Sequence, residues 1–303
     1  MKNIKLILSL IVTFSLLGYL FHKTPFDEVL KSTKNVNLEL ILVAVVISIM
    51  SNIFLTAYRW RAILKKLKCP ISWKESILVK MGSDSLISIL PMKTGEAFRV
   101  LYLTRTKKVS HGKAILSIIS EYCLNFVFLL LSIFIGLFFY LVRNNLTLSG
   151  NIGFASGLFL LSNERFRAAK DNWKSFVNNR MVVPFKKIKS IFFDRNILML
   201  TFLLAILELL NVYLISKALG IHIPLYAIFV YVPMIILISS IPITILGLGL
   251  RESVVLLFFL KYASSDSLLS LGILYSFIEH VIPMLIGLSL TGLFLNRIFF
   301  TRK

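Results

Sequence analysis

The 303-residue chain is 57% apolar and only 16% charged, with a formal net charge of +20, whereas soluble domains run near about 45–50% apolar and about 25% charged. Together with a mean hydropathy of +0.84 and a pI near 10.1, this excludes a disordered chain, a collagen-like repeat and a small disulfide-stapled module. The two cysteines, Cys69 and Cys123, make no disulfide framework.

Crossing a hydrocarbon core of about 30 Å takes about 20 apolar residues. In chain order, six stretches read as spans: residues 4–21, 38–58, 114–142, 146–162, 197–216 and 271–295. The basic start before the first resembles the n-region of a signal peptide, but the run is long for one and no small-residue cleavage site follows, which favours a retained span. Two further apolar stretches, 77–91 and 225–260, are interrupted by Pro and Gly. The predicted fold class is therefore an all-α, polytopic membrane protein with about six full spans and two broken segments. Those segments are re-entrant hairpins or, alternatively, kinked full spans that bring the total to eight.

Of the 34 Lys and Arg residues, 27 fall in the first five residues, in 59–80, 93–113 and 163–195, and in the last seven. The positive-inside rule then places both termini and the large loops in the cytoplasm, on the cytoplasmic membrane. So arranged, the charge faces anionic lipid, and no nucleic-acid partner is expected. The stretch 163–195 interleaves its bases with Phe166, Trp173, Phe176, Phe185 and Phe192 around Pro184. It reads either as an interfacial segment with rings at headgroup level or as a solvated connector.

The broken segments share a pattern. Ile87-Ser88-Ile89-Leu90-Pro91 is followed by Gly95 and Arg99, and Ile238-Ser239-Ser240-Ile241-Pro242 by Gly247 and Arg251. In the topology above, one lies in a unit over 38–142 and the other in a unit over 197–295 of opposite orientation. Span, hairpin, span, repeated upside down within a single transmembrane domain over 1–303, is the inverted-repeat architecture of secondary transporters. The arms before the prolines would rise about 22–26 Å as helix, short of a full core.

Ionisable groups in apolar surroundings are costly and so are functional candidates. Thr94 can cap a helix after Pro91, Gly95 permits close backbone approach, and Glu96 and Arg99, three apart, share a face. A helix start with a guanidinium one turn on suits a phosphate; the plainer alternative is a self-satisfied Glu96–Arg99 pair. In the second segment Gly247 and Gly249 break the helix, so that Arg251 and Glu252 open the next arm. Being adjacent, these two point apart. Glu121, Glu208 and Glu279 lie within spans. Glu121 and Glu279 are natural counter-ions for Arg99 and Arg251, or proton carriers. The four histidines have no metal spacing, no metal or cofactor is expected, and Gly247-Leu248-Gly249 does not complete a dinucleotide loop.

Pro91, Gly95-Glu96 and Arg99, then Pro242 and Gly247-Leu248-Gly249-Leu250-Arg251-Glu252, with Tyr58-Arg59-Trp60-Arg61 closing the second span, resemble the flippase-like transmembrane domain of bacterial lysylphosphatidylglycerol synthases. The resemblance covers nearly the whole chain without the soluble aminoacyltransferase domain. A glycine pair usual before the Arg-Glu stands here as Leu246-Gly247. It implies a protein that binds a phospholipid or other lipid headgroup at Thr94, Gly95, Glu96, Arg99, Gly247, Gly249, Arg251 and Glu252 and moves it between leaflets, with Glu121, Glu208 and Glu279 as intramembrane counter-ions. The alternatives are a membrane-embedded lipid-modifying transferase with Glu121 or Glu279 as base, and a scaffold for a separately encoded synthase or glycosyltransferase.

Overall fold

The computed structural model describes residues 2–24, 27, 29, 33, 34, 36–90, 94–143, 185–241 and 243–300. The expected span over 146–162, most of the basic stretch 163–195, and both prolines of the shared pattern, Pro91 and Pro242, lie outside the described residues. Every described element is helical: α1 (Lys2–Lys23), α2 (Leu38–Lys66), α3 (Trp73–Ile89), α4 (Glu96–Lys107), α5 (His111–Arg143), α6 (Phe185–Phe192), α7 (Arg195–Ala218), α8 (Leu225–Ser239), α9 (Leu250–Phe259) and α10 (Ser265–Phe299). Helices α2, α5, α7 and α10 are long and apolar enough to cross a membrane.

Local chemistry sets the helix starts. The Asn37 side chain accepts from the Leu40 N–H at the start of α2, Asp194 does the same for Ile197 in α7, and Ser72 and Glu75 form a reciprocal capping box on α3. These satisfy N–H groups that a helix start otherwise leaves unpaired. Leu90 ends α3 in an extended conformation, as the residue before a proline must. Two spans carry a wider, π-helical turn inside them, Met50–Leu55 in α2 and Phe277–Val281 in α10; such turns are rare and concentrate at functional sites.

Two larger apolar cores form, one around each broken segment, with a small third cluster of Leu20, Val29 and Leu269. Trp60, Leu64, Val79, Tyr102, Leu103, Leu124 and Phe294 join the end of α2 to α3, α4, the first half of α5 and the end of α10. Val212, Ile215, Ile228, Val232, Val255, Phe259 and Leu271 join α7, α8, α9 and the first half of α10. Small residues bring the elements close. Gly82 faces the Phe294 side chain, Gly287 lies on Ser85 and Met81, and Gly136 lies on Phe229 and Val230. Thus α3 packs on α10 and α8 packs on α5, each broken arm against a long span from the other half of the chain. Helix α1 seats on the second break, where Gly249 leaves room for Leu16 and the Thr13 hydroxyl accepts from the Ile245 N–H. Large apolar side chains, including Leu38, Phe134, Phe138 and Phe202, face outward.

Candidate functional site

Glu121, on the inner face of α5, is the centre of a buried charge cluster at the junction of the two cores. One carboxylate oxygen receives Arg59 Nη2 and Lys80 Nζ, both at 3.2 Å; the other receives Arg99 Nη2 at 2.7 Å. The three bases come from α2, α3 and α4, so one side chain ties four helices together. Arg99 also pairs with Glu96 at 3.0 Å and stacks over the Trp60 ring. Lys80 pairs with Asp84 at 3.3 Å, Arg59 donates to Asn125 Oδ1 at 2.6 Å, and Tyr122 donates to Glu96 at 2.8 Å. Three bases and three carboxylates balance, and Arg59, Arg99 and Glu121 are all nearly inaccessible. Buried charges persist only when paired in this way.

A cavity of about 260 Å³ opens beside the cluster, lined by Arg59, Lys80, Asp84, Glu96 and Glu121 on one side and by Asn52, Glu279 and His280 on the other. A second cavity, of about 150 Å³, shares Asn52, Thr56, Arg59, Asn125, Glu279 and His280 with it and ends at Glu208. The two cavities meet at these shared residues, and both π-helical turns border them. The fold is thus a membrane-embedded helical body with a charged interior.

The lysylphosphatidylglycerol synthase TM region family model matches residues 6–287. The chain belongs to this family. A UPF0104 membrane protein of Methanocaldococcus jannaschii is 27% identical to it over 137 residues, 44% of this chain and 39% of that protein; the match spans about two fifths of that relative's length. Family and spans together make the chain a multi-pass membrane protein.

Within this member of the family, the residues singled out by sequence fall into three networks. Glu96, Arg99 and Glu121 share the cluster just described. The start of α4 differs in detail from expectation: Gly95 takes the capping position, and Thr94 contributes its backbone carbonyl to the Ala97 N–H. Gly95 lies directly on the Ile87 backbone, with no room for a Cβ.

Arg251 and Glu252 form the second network. Arg251 donates to the Ser276 hydroxyl at 3.0 Å and to the Leu246 carbonyl at 3.2 Å, over the Tyr275 ring. Glu252 accepts from that same Ser276 hydroxyl and, at 2.6 Å, from the Gly249 N–H. Adjacent and pointing apart, the two charges are bridged through one serine. Leu246, Gly247 and Gly249 all have positive φ, at 58°, 75° and 80°, which lets the chain turn sharply enough for Arg251 to reach back. Leu246 thus stands in a backbone region that glycine enters without strain.

Glu279 belongs to a third network and does not face Arg251. It accepts from Asn52 Nδ2 at 2.7 Å, from Ser48 at 3.4 Å and from Asn211. Glu208 accepts from the Tyr275 hydroxyl at 3.3 Å. Arg99 and Arg251 therefore sit in separate networks, and neither lines the cavities; the bases that do are Arg59 and Lys80. Sequence reading missed Lys80 because it was counted with a cytoplasmic loop, although it lies inside an apolar stretch four residues before Asp84. Asn52 and Asn211, lone amides within apolar spans, carried the same signal.

Proposed function

We propose that the protein is a lipid translocator of the cytoplasmic membrane, admitting a phospholipid headgroup to the cavity beside Glu121 and exchanging it between leaflets. The observation that carries this reading is a cavity, inside a membrane-spanning fold, lined at once by bases and carboxylates: Arg59 and Lys80 against Asp84, Glu96 and Glu121. A headgroup bearing a phosphate and an amine, as in the lipid that gives the family its name, presents the complementary pair. Its phosphate takes the place of the Glu121 carboxylate on Arg59 and Lys80, and its amine meets Asp84 and Glu96. Arg99, further in, holds Glu121 in position at 2.7 Å. Moving a charged headgroup through hydrocarbon is costly, and a lined polar path lowers that barrier.

The same reading takes α3–α4 and α8–α9 as re-entrant hairpins in two inverted units, 38–142 and 197–295, with both termini cytoplasmic. Several features support it. Arms of 17 and 15 residues rise about 25 and 22 Å, less than the core. Gly95 approaches Ile87 and Gly247 approaches Ser239, so after each break the chain returns to a point eight residues earlier. Arg99 and Arg251 each follow that glycine by four residues, and each broken arm packs on a span of the other unit. Arg251 and Glu252, with Gly247 and Gly249, then hold the second break as Arg99 and Glu96, with Gly95 and Thr94, hold the first.

The test is reconstitution in liposomes with acyl-chain-labelled lysylphosphatidylglycerol, whose headgroup carries both phosphate and amine, and a membrane-impermeant reductant. Wild type should expose inner-leaflet label to quenching, while Arg59→Ala, Arg99→Ala and Arg251→Ala, folded by thermal melt, should leave that leaflet protected. A variant that quenches like wild type would remove Arg59 from the path, or Arg99 or Arg251 from its support. Protection in wild type across a phospholipid panel would remove translocation, and a new lipid species on mass analysis would point to transferase chemistry.

A further inference from the structure

Glu279 is a buried carboxylate that no base pairs with; Glu252 is another, but it closes its own helix start by accepting from the Gly249 N–H. Glu121 has three bases; Glu279 has no Lys, Arg or His within ion-pair distance among the described residues, yet is only 6% exposed. Its partners are neutral: the amides of Asn52 and Asn211 and the Ser48 hydroxyl. Ser48 has one proton, and the Ile278 carbonyl at 2.7 Å takes it ahead of Glu279 at 3.4 Å. Beside the carboxylate, Asn211 Oδ1, on a wholly buried residue, has no hydrogen-bond partner at all. A buried anion without a cation and a buried acceptor without a donor are each unfavourable. Here they are adjacent, and one small positive charge between them relieves both.

We infer that Glu279 and Asn211 Oδ1 form a site for one exchangeable small cation, a proton or a sodium ion, separate from the charge cluster at Glu121. Oxygen ligands of this kind suit a hard cation. A proton makes Glu279 a carboxylic acid whose O–H is donated to the amide oxygen; it comes from water in the cavity and returns there, with no other bond changed. Access is provided because Glu279 lines both cavities. The site lies where the two π-helical turns meet, Asn52 on one and Glu279 on the other. The charged and titratable groups around it are Glu208 on α7, Tyr275 and His280 on α10, Arg251 on α9 behind Tyr275, and, across the cavities, Arg59 on α2, Lys80 and Asp84 on α3, Glu96 on α4, and Glu121 and Tyr122 on α5. Occupancy does not depend on lipid exchange; if exchange occurs, this ion is its natural driver.

The experiment is infrared difference spectroscopy of the purified protein in a lipid film, titrated with acid in choline chloride and then in sodium chloride. The expected result is a carboxylic-acid C=O band, lost in Glu279→Gln and kept in Glu208→Gln. Suppression of that band by sodium identifies sodium as a competing occupant; indifference to sodium leaves the proton as the sole occupant. Glu279→Gln keeps the fold measurable, because its amide can donate to Asn211 Oδ1, so its melting temperature should be independent of sodium. A spectrum without such a band together with a wild-type melting temperature unmoved by sodium, or a band that Glu208→Gln removes instead, would overturn the site.

Discussion

Gly287 lies flat on Ser85, so that any side chain at 287 would run into the Ser85 hydroxyl and the Met81 carbonyl. The Ser85 hydroxyl spans the contact, with the Met81 and Met284 carbonyls each at 3.0 Å. Small residues let helix backbones approach closely where apolar burial gives no driving force between helices. Gly287→Val should therefore push α10 off α3 and destabilise the protein by about 1–3 kcal/mol, the usual range for overpacking. Denaturant unfolding in detergent micelles measures this, and Gly292→Val, with open space around it, should leave the midpoint nearly unchanged.

Glu121 accepts three bases on two oxygens, and Arg59 and Arg99 among them are almost wholly buried. Replacing it with alanine leaves buried Arg59 without a carboxylate, and Lys80 and Arg99 with only Asp84 and Glu96. The expected loss is about 3–5 kcal/mol, as for breaking a buried ion pair from one side. Asp84→Ala should cost far less, since the Asp84 side chain is 39% exposed and meets only Lys80. A ranking with Asp84→Ala equal to or worse than Glu121→Ala would contradict the central position of Glu121.

Leu246 holds φ at 58°, a conformation that costs an ordinary L-residue about 1–2 kcal/mol. Leu246→Gly should keep or raise the melting temperature, and Leu246→Val should lower it, because a β-branched side chain tolerates this region least. The Arg251–Leu246 carbonyl bond, which depends on the turn, should survive the first change and weaken in the second.

The fold class was legible because hydrophobic run length is a strong signal in a chain whose solvent is lipid: residues 38–58, 114–142, 197–216 and 271–295 all fall in long helices, the first of which runs on to Lys66 and the others beyond both ends of the run. Breaks at Gly95 and Gly247 were legible from Pro and Gly. Partnerships were not. Sequence spacing fixes which residues share a helix face, so the Glu96–Arg99 pair could be read; it does not fix which helices touch. Arg99 finding Glu121, but Arg251 finding Ser276 and Leu246 instead of Glu279, is decided by packing of α9 on α10. Arg59 sits at the edge of one apolar run and Lys80 inside another, where a charge count cannot distinguish a snorkelling surface base from one turned inward.

Asp194 lies just before α7, outside the spans, and does two jobs: its side chain caps the Ile197 N–H at 3.1 Å and pairs with Lys66 at 2.5 Å, tying the start of α7 to the end of α2. Partial burial pushes its carboxyl up, but the hydrogen bonds from Lys66 and from the Ile197 backbone outweigh this and hold it below the ordinary aspartate value. A carboxyl depressed in the folded state contributes stability that is complete above its unfolded value and is lost as the pH falls through the folded one. Melting temperature in detergent should therefore hold down to about pH 4 and decline below it. Asp194→Ala should lower it at neutral pH by the loss of a helix cap, about 1 kcal/mol, and should flatten the acid decline. Lys66→Met, which leaves the cap and removes the ion pair, should reproduce part of the flattening with a smaller loss at neutral pH; an acid decline as steep in Asp194→Ala as in wild type would assign it to other carboxylates.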